Sequence, residues 1–406
     1  MKVEIAFDLA ANGVGNFFTL DDTVKGVLGG TASSPLAGDV LVDITDRVRS
    51  VSVKRGRSRM LERTVAGICQ IELDNRDRTF DPLNAASPYF GSITPRKQFR
   101  VSHDGAAIWT GNVEDWSWQY DLSGDAVAVA QGVDGFAVLA NATLTPGTAT
   151  SELTGTRVGK VLTDAGWPAS QRSISTGQAT LDADVVDDNV NALSYLEKVA
   201  VSDPGLVFVD KAGSVAFLDR ADLQDPTSGG VTFGPSAGQV PFNEYVAASV
   251  TDELRNDIAV TWYGGTAVAG TVTAASTASQ AAYGRFTYSL DTLLDTQASA
   301  QLLADAFLAT YKDPTYRIDR IGVQLNSLTI AQAADVLDLE LGDVVTVTWT
   351  PNAIGSAITQ TVSIDQIEHR ATPADHQVTF TLSQTLAAFV LDDAVFGVLD
   401  SNRLGY

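Results

Sequence analysis

Residues 66–101 read AGICQIELDNRDRTFDPLNAASPYFGSITPRKQFRV, and this stretch decides the fold. With Val65, the residues Gly67, Cys69, Ile71 and Leu73 share one parity while Gln70 and Glu72 take the other, which predicts a strand with one face in a core. At Asp74 the alternation stops. Asp74, Asn75, Arg76, Asp77, Arg78, Asp81-Pro82, Asn84 and Ser87-Pro88-Tyr89 cap turns through their side chains or fix φ, so they do not continue a ladder. After Pro95 the strand pattern returns at Phe99 and Val101, turns at His103-Asp104-Gly105 and reaches Ile108, Trp109, Thr110 and Gly111. A shaped loop over 74–98 therefore joins two core strands, and loops of this length are usually functional or disordered rather than plain connections.

Outward from this stretch, Val3, Ile5 and Phe7, then Val40, Val42 and Ile44, then Val51 and Val53 alternate as strands. Downstream, Trp116, Trp118 and Tyr120 put three aromatics on one strand face, answered by Val127 and Val129 after the Ser123-Gly124-Asp125 turn. Alternating aromatics in a hairpin fit core packing or subunit contact better than sugar stacking, the competing reading of Trp116 and Trp118. Residues 1–150 thus read as an N-terminal β-barrel-like domain.

The period changes at Ser151. Val158, Val161 and Leu162 predict one helix, and Val190, Leu193, Leu196, Val199 and Ala200 a second, ended by Asp203-Pro204-Gly205. LVFVDKAGSVAFLDR (206–220) reads as a hairpin turning at Lys211-Ala212-Gly213, which makes 151–225 a small α+β domain. A β-rich connecting domain over 226–290 follows, its Ala-, Thr-, Ser- and Gly-rich part from 264 onward read as edge strand and loop. Ala298, Leu302, Leu303, Ala306, Phe307 and Tyr311 predict the longest helix, stopped at Asp313-Pro314. Strands at 318–325, 344–349, 358–367 and 378–382 complete a helix plus second β-barrel-like domain over 291–388. The fold class is α+β, mainly β, with two barrel-like β domains flanking a small helix-plus-hairpin domain.

At 406 residues, 45% hydrophobic and 19% charged, the chain is a folded protein of several domains. Its 49 acidic against 27 basic residues give a net charge of −22, which excludes a duplex-binding role resting on neutralised phosphates. The sole cysteine, Cys69, sits on the buried parity of its strand, so no disulfide forms within the chain. Glu4 and Asp8 interrupt the opening MKVEIAFDLAANG, which is therefore no signal peptide, and no run approaches 18 apolar residues; folding in a cytoplasm is expected.

Catalytic patterns are weak. Gly234-Pro235-Ser236-Ala237-Gly238 matches G-x-S-x-G, but Pro241 follows closely and no helical pattern does. Gly155 to Lys160 falls one residue short of a phosphate loop and reads as a helix start. Three histidines (His103, His369, His376) and one cysteine are too few for a zinc site, and His369 and His376 are expected to face each other across a hairpin as partly exposed neighbours. No catalytic, cofactor or metal residues are assigned, and no enzyme is expected.

One repeat stands out. Phe18, Leu20, Asp21, Asp22, Val24, Gly26, Val27 and Leu28 recur in the same spacing as Phe389, Leu391, Asp392, Asp393, Val395, Gly397, Val398 and Leu399. Both ends are read as docking elements, with 389–406 a C-terminal docking tail; the double aspartates read as turn carboxylates, without the spacing of a calcium loop. Candidate interface residues are Phe18, Leu20, Asp21, Asp22, Phe389, Leu391, Asp392, Asp393, Phe396 and Tyr406, with Arg76, Arg78 and Tyr89 of the long loop.

The ordered set Ala66-Gly67, Ile71-Glu72-Leu73, Asn75-Arg76-Asp77-Arg78, Phe80-Asp81-Pro82, Ser87-Pro88-Tyr89, Gly91, Ile93, Pro95 and Trp109-Thr110-Gly111 resembles the N-terminal domain of minor tail proteins of long-tailed actinobacterial phages. These belong with the tail-tip hub proteins. The helix ALSYLEKVA followed by GLVFVDKAGSVAFLDR is similar to the second domain of that family, and LGDVVTVTW, TVSIDQIEHR and HQVTFTLS to its second barrel. The resemblance implies a homotrimeric baseplate hub that closes the tail tube. Its expected partners are the distal tail protein ring, the tape-measure protein, and other minor tail proteins or fibres, with DNA passing through without specific binding. It places the protein at the virion tail tip. A hexameric distal tail protein is the structural alternative, and a tail-associated cell-wall hydrolase or carbohydrate-binding module the alternative of another class.

Overall fold

The computed structural model describes residues 1–7, 40–59, 61–225, 227–249 and 253–385. Seven strands form its N-terminal part: β1 (Lys2–Phe7), β2 (Val40–Asp43), β3 (Val48–Gly56), β4 (Val65–Asp74), β5 (Gln98–His103), β6 (Ala106–Tyr120) and β7 (Ala126–Val133). In β4 the buried residues are Gly67, Cys69, Ile71 and Leu73, as their parity predicts, while Val65 on the same parity is exposed at the strand's start; the strand lies between β3 and β7. Beyond Asp74 the 74–98 loop runs as successive turns before β5, as its turn formers require.

The chain is mainly β with a helix-and-hairpin middle, but the two β regions are not separate sheets. Strands Arg317–Gln324, Val344–Trp349, Ile358–Thr372 and Asp375–Gln384 form the C-terminal part, and Ile358–Thr372 pairs directly with β3, from Gln366 opposite Gly56 to Ala371 opposite Val51. With Thr232–Phe233 beside Val344–Trp349 and Glu244–Ala248 beside Arg317–Gln324, thirteen strands of the described residues join in one sheet over one continuous core that holds Val53, Cys69 and Trp109 from one half and Ile321, Val345 and Phe380 from the other. The junction depends on a bulge. Ile358–Thr372 pairs with Val344–Trp349 over its first half, slips register between Ile364 and Gln366, and then takes β3 as its neighbour. At the slip Gly56 has φ +103, and a Cβ there would lie 2.1 Å from the Asp365 carbonyl oxygen, so only glycine lets the two strands meet.

The middle part follows the expected order. Helices Thr154–Asp164 and Ala192–Val201, the latter capped by Asn191, pack over the antiparallel hairpin Leu206–Val209 and Val215–Leu218. Arg157 in the first helix is buried, and its guanidinium donates to Glu152, to the Tyr195 hydroxyl and to the carbonyls of Thr150 and Asp182. The 15-residue helix Gln297–Tyr311 buries Ala300, Leu303, Ala304 and Phe307 against Ile258, Val260, Val272 and Ala274, a packing that straddles the 290/291 boundary drawn from sequence.

Two expectations need correction. Residues 264–290 hold more regular structure than edge strand and loop: strand Val268–Ala275, helix Thr277–Tyr283 capped by Ser276, and strand Thr287–Leu290 parallel to Asp257–Tyr263. Small residues give such a helix no apolar stripe to read. Helix Ile330–Asp338, absent from the sequence reading, starts at a Thr329–Gln332 capping box. Among the described residues no helix is long and apolar enough to cross a membrane.

Candidate functional site

Two regions concentrate polar side chains in specific geometry: the 74–98 loop and the seam between the sheet halves.

In the loop, the side chain of Asn75 accepts the Phe80 N–H at 2.8 Å, and Asp81 accepts the Leu83 N–H, Arg78 Nε and the Tyr120 hydroxyl, each at 2.8 Å. Burial opposes charge on Asp81, yet these three bonds together hold its carboxyl below the usual range. The aromatic strand supplies the other side: the Trp118 indole N–H donates to the Phe80 carbonyl, and Trp116 Nε1 donates to the Thr94 carbonyl at 3.4 Å. Trp116, Trp118 and Tyr120 are thus committed to the loop through their polar ends, as core packing requires and a free sugar platform does not.

Arg76 pairs with Asp74, and Arg78 with Asp81 at 2.7 Å, while both guanidiniums stay more than half exposed. Tyr89 stacks on Phe7 with centroids 4.2 Å apart and on Phe80 at 5.6 Å. Of the candidate interface residues, Arg76 and Arg78 present exposed heads, Arg78 on the wall of an open cleft of about 590 Å³ that Asp81, Pro82, Leu83, Trp118 and Tyr120 also line, whereas Tyr89 belongs to the loop's own packing. Phe18, Leu20, Asp21, Asp22, Phe389, Leu391, Asp392, Asp393, Phe396 and Tyr406 lie outside the described residues.

The seam is locked by the middle hairpin. Its turn inserts Lys211 between the sheet halves: Lys211 Nζ donates to the Leu337 and Asp338 carbonyls at the C-terminus of helix Ile330–Asp338, and its carbonyl accepts Thr110 Oγ1 of β6 at 3.1 Å. A cation there complements the negative end of the helix. Glu340 then accepts both the Lys211 N–H at 3.0 Å and the buried Arg55 of β3 at 2.7 Å.

Below this lock all three histidines converge, which the sequence reading missed. His369 Nδ1 lies 3.1 Å from His376 Nε2, and His376 Nδ1 lies 3.1 Å from His103 Nδ1. The expectation that His369 and His376 are partly exposed is corrected: they are 5% and 2% exposed. Burial is the first cause that pushes His376 down to about 4, with the neighbouring His103 and the Met1 amino terminus adding to it, and His369 lies well below its ordinary value. Since His376 uses both ring nitrogens, no three nitrogens converge on one point. No group of metal-ligating side chains occurs among the described residues. His369 and His376 are diagonal neighbours on a hairpin, legible from their spacing about the 372–375 turn. His103 comes from another element 273 positions away, and nothing local signals its arrival.

Gly234 to Gly238 forms turns before Val240 with no helix after it, and Ser236 N–H donates to Gln239 Oε1, so the strand-turn-helix corner of a nucleophile elbow is absent.

No protein-family model matches the chain, and no curated protein matches it. Solved structures do. The 43 kDa tail protein of prophage MuSo2 from Shewanella oneidensis superposes with a TM-score of 0.57 at 13% identity, covering 86% of this chain and 96% of that one. A tail protein from Neisseria meningitidis gives 0.56 at 12% identity, covering 86% and 94%. The prophage tail protein gp18 from Listeria monocytogenes gives 0.50 at 12% identity, covering 94% of each. What this chain shares with these tail proteins is the fold.

Proposed function

We propose that the chain is a structural virion protein of a long-tailed phage, the baseplate hub at the tail tip. The observation that carries this reading is the near end-to-end match of fold to tail proteins from three bacteria, with 86–94% of this chain aligned. The ordered motif set of residues 66–111 supports the same reading.

In this reading three copies form a ring that closes the tail tube, joined above to the distal tail protein ring and the tape-measure protein and below to fibres or other minor tail proteins. The work is mechanical. The one continuous sheet makes each subunit stiff, and the Lys211 lock fixes the middle domain to both halves, so a change at the ring's lower face is transmitted as a rigid-body movement. The net charge of −22 repels the phosphate backbone and lets DNA pass without sticking. Decorating purified virions with an antibody to this chain tests the assignment: label at the free end of the tail supports it, and virions free of the protein refute it.

A further inference from the structure

His103 at the end of β5 and the pair His369 and His376 on the C-terminal hairpin stand in one line, with ring centroids 5.0 and 5.3 Å apart. We infer that this line is a binding site for a single proton, which the three rings accept by reversing tautomers, and that a second proton breaks it.

The argument is a count. Each of the two ring contacts needs one N–H and one bare nitrogen. Neutral rings carry three N–H groups on six nitrogens, and the surrounding charges choose their sense. Asp104 lies 3.7 Å from His103 Nε2 and favours an N–H there. The His103 Nδ1 is then bare and accepts from His376 Nδ1, and His376 Nε2 accepts from His369 Nδ1. At the inner end, Arg55 of β3 and Lys211 of the middle hairpin act on His369, and both oppose a positive charge on its ring. Glu340 accepts the Arg55 guanidinium and the Lys211 backbone N–H and so partly offsets the positive charge, while the Met1 amino terminus acts on His103 and His376.

One added proton makes four N–H groups. If the charge sits on His376, both of its nitrogens donate, and His369 must offer a bare Nδ1. If it sits on His103, His376 accepts at Nδ1 and donates from Nε2, and His369 again offers a bare Nδ1. In either state His369 carries its hydrogen on Nε2: its Nδ1 proton passes across the contact to His376 Nε2, the solvent proton is gained at His369 Nε2, and where the charge sits on His103 the His376 Nδ1 proton passes on to His103 Nδ1. Only a charge on His369 itself would keep its Nδ1–H, and Arg55 and Lys211 oppose that. A second proton leaves one bare nitrogen for two contacts, so one contact sets N–H against N–H and parts. The contact at the rim joins the β5–β6 turn to the C-terminal hairpin, and it is the one free to open.

The test is histidine-selective ¹⁵N labelling of the full chain, reading each ring's protonation and tautomer from pH 8 to 4.5, with circular dichroism recorded alongside. The expected result is that buried His369 changes from the Nδ1–H to the Nε2–H tautomer over the same midpoint at which His103 or His376 gains charge. Two results overturn the proposal: protonation of either ring with the His369 tautomer unchanged, or unfolding before any of the three is protonated. His103→Gln, at the exposed end and therefore compatible with folding, removes one proton acceptor and should move the His369 change to lower pH. An unshifted midpoint in that variant would also overturn it.

Discussion

Arg57 and Asp365 bind each other twice at the bulge where the sheet halves join: the Asp365 carbonyl accepts the Arg57 N–H at 2.9 Å, and its carboxylate holds the guanidinium at 2.9 to 3.0 Å. Both side chains are nearly removed from solvent. Losing one partner leaves the other charge buried alone, so Arg57→Ala should cost about 3–5 kcal/mol in chemical denaturation. The double replacement Arg57→Met with Asp365→Leu should recover most of that loss, and the difference between the two measurements isolates the stranded charge.

Gly56→Ala tests the junction through the backbone. The positive φ alone costs on the order of 1–3 kcal/mol for a residue with a side chain, and the clash with the Asp365 carbonyl adds to it. Limited proteolysis should then cut in or beside 57–64 while the N-terminal strands stay protected. A variant as resistant as the wild type would show that the β3 pairing is not what holds the halves together.

Trp118→Phe keeps one aromatic ring but removes the pyrrole part of the indole and with it the donor to the Phe80 carbonyl. An unmet buried acceptor costs about 1–3 kcal/mol. The loss should be local, read as faster amide exchange within residues 78–83 and little change elsewhere.

The buried histidines make stability depend on pH with a definite sign. His369 and His376 have folded values below the ordinary one, so the unfolded chain binds more protons there, and stability present above about 6.5 is lost as the pH falls toward about 4. Asp134 and Asp343 act the other way: burial raises both to about 6, so they favour the folded state as the pH drops below that. His376→Gln should therefore flatten the acid-side loss by up to about 1.4 kcal/mol per pH unit relative to wild type, and an unchanged slope would remove His376 as a contributor.

Much of this architecture was legible because it is local. The parity of Val65 to Leu73, the turn formers after Asp74, the 206–220 hairpin and the helix ending at Tyr311 each carry their own period. The β3 pairing with Ile358–Thr372 was not legible: its residues lie some 310 positions apart, and both strands read as ordinary core strands whatever their neighbour. The His103 contact is hidden for the same reason. Helix Ile330–Asp338 shows a different limit, since its nine residues are too few for a firm period and only the Thr329–Gln332 box marks its start. The loop candidates Arg76 and Arg78 were chosen for their chemistry, and their geometry explains half of it, the pairing that shapes the loop.

The repeated element at the two ends yields a separate expectation. Deleting 389–406 should leave a protein with unchanged melting that fails to enter particles, measured by complementation of a null phage and mass spectrometry of the virions formed. Normal incorporation would show that the repeat has no docking role.

The most direct measurement is a cryo-EM map of the tail tip in intact virions, with the symmetry and copy number of this chain recorded. The account predicts threefold density at the end of the tube that this fold fits, with three copies per particle. Sixfold density one layer higher would make it the distal ring, and absence from the virion would contradict the structural role altogether.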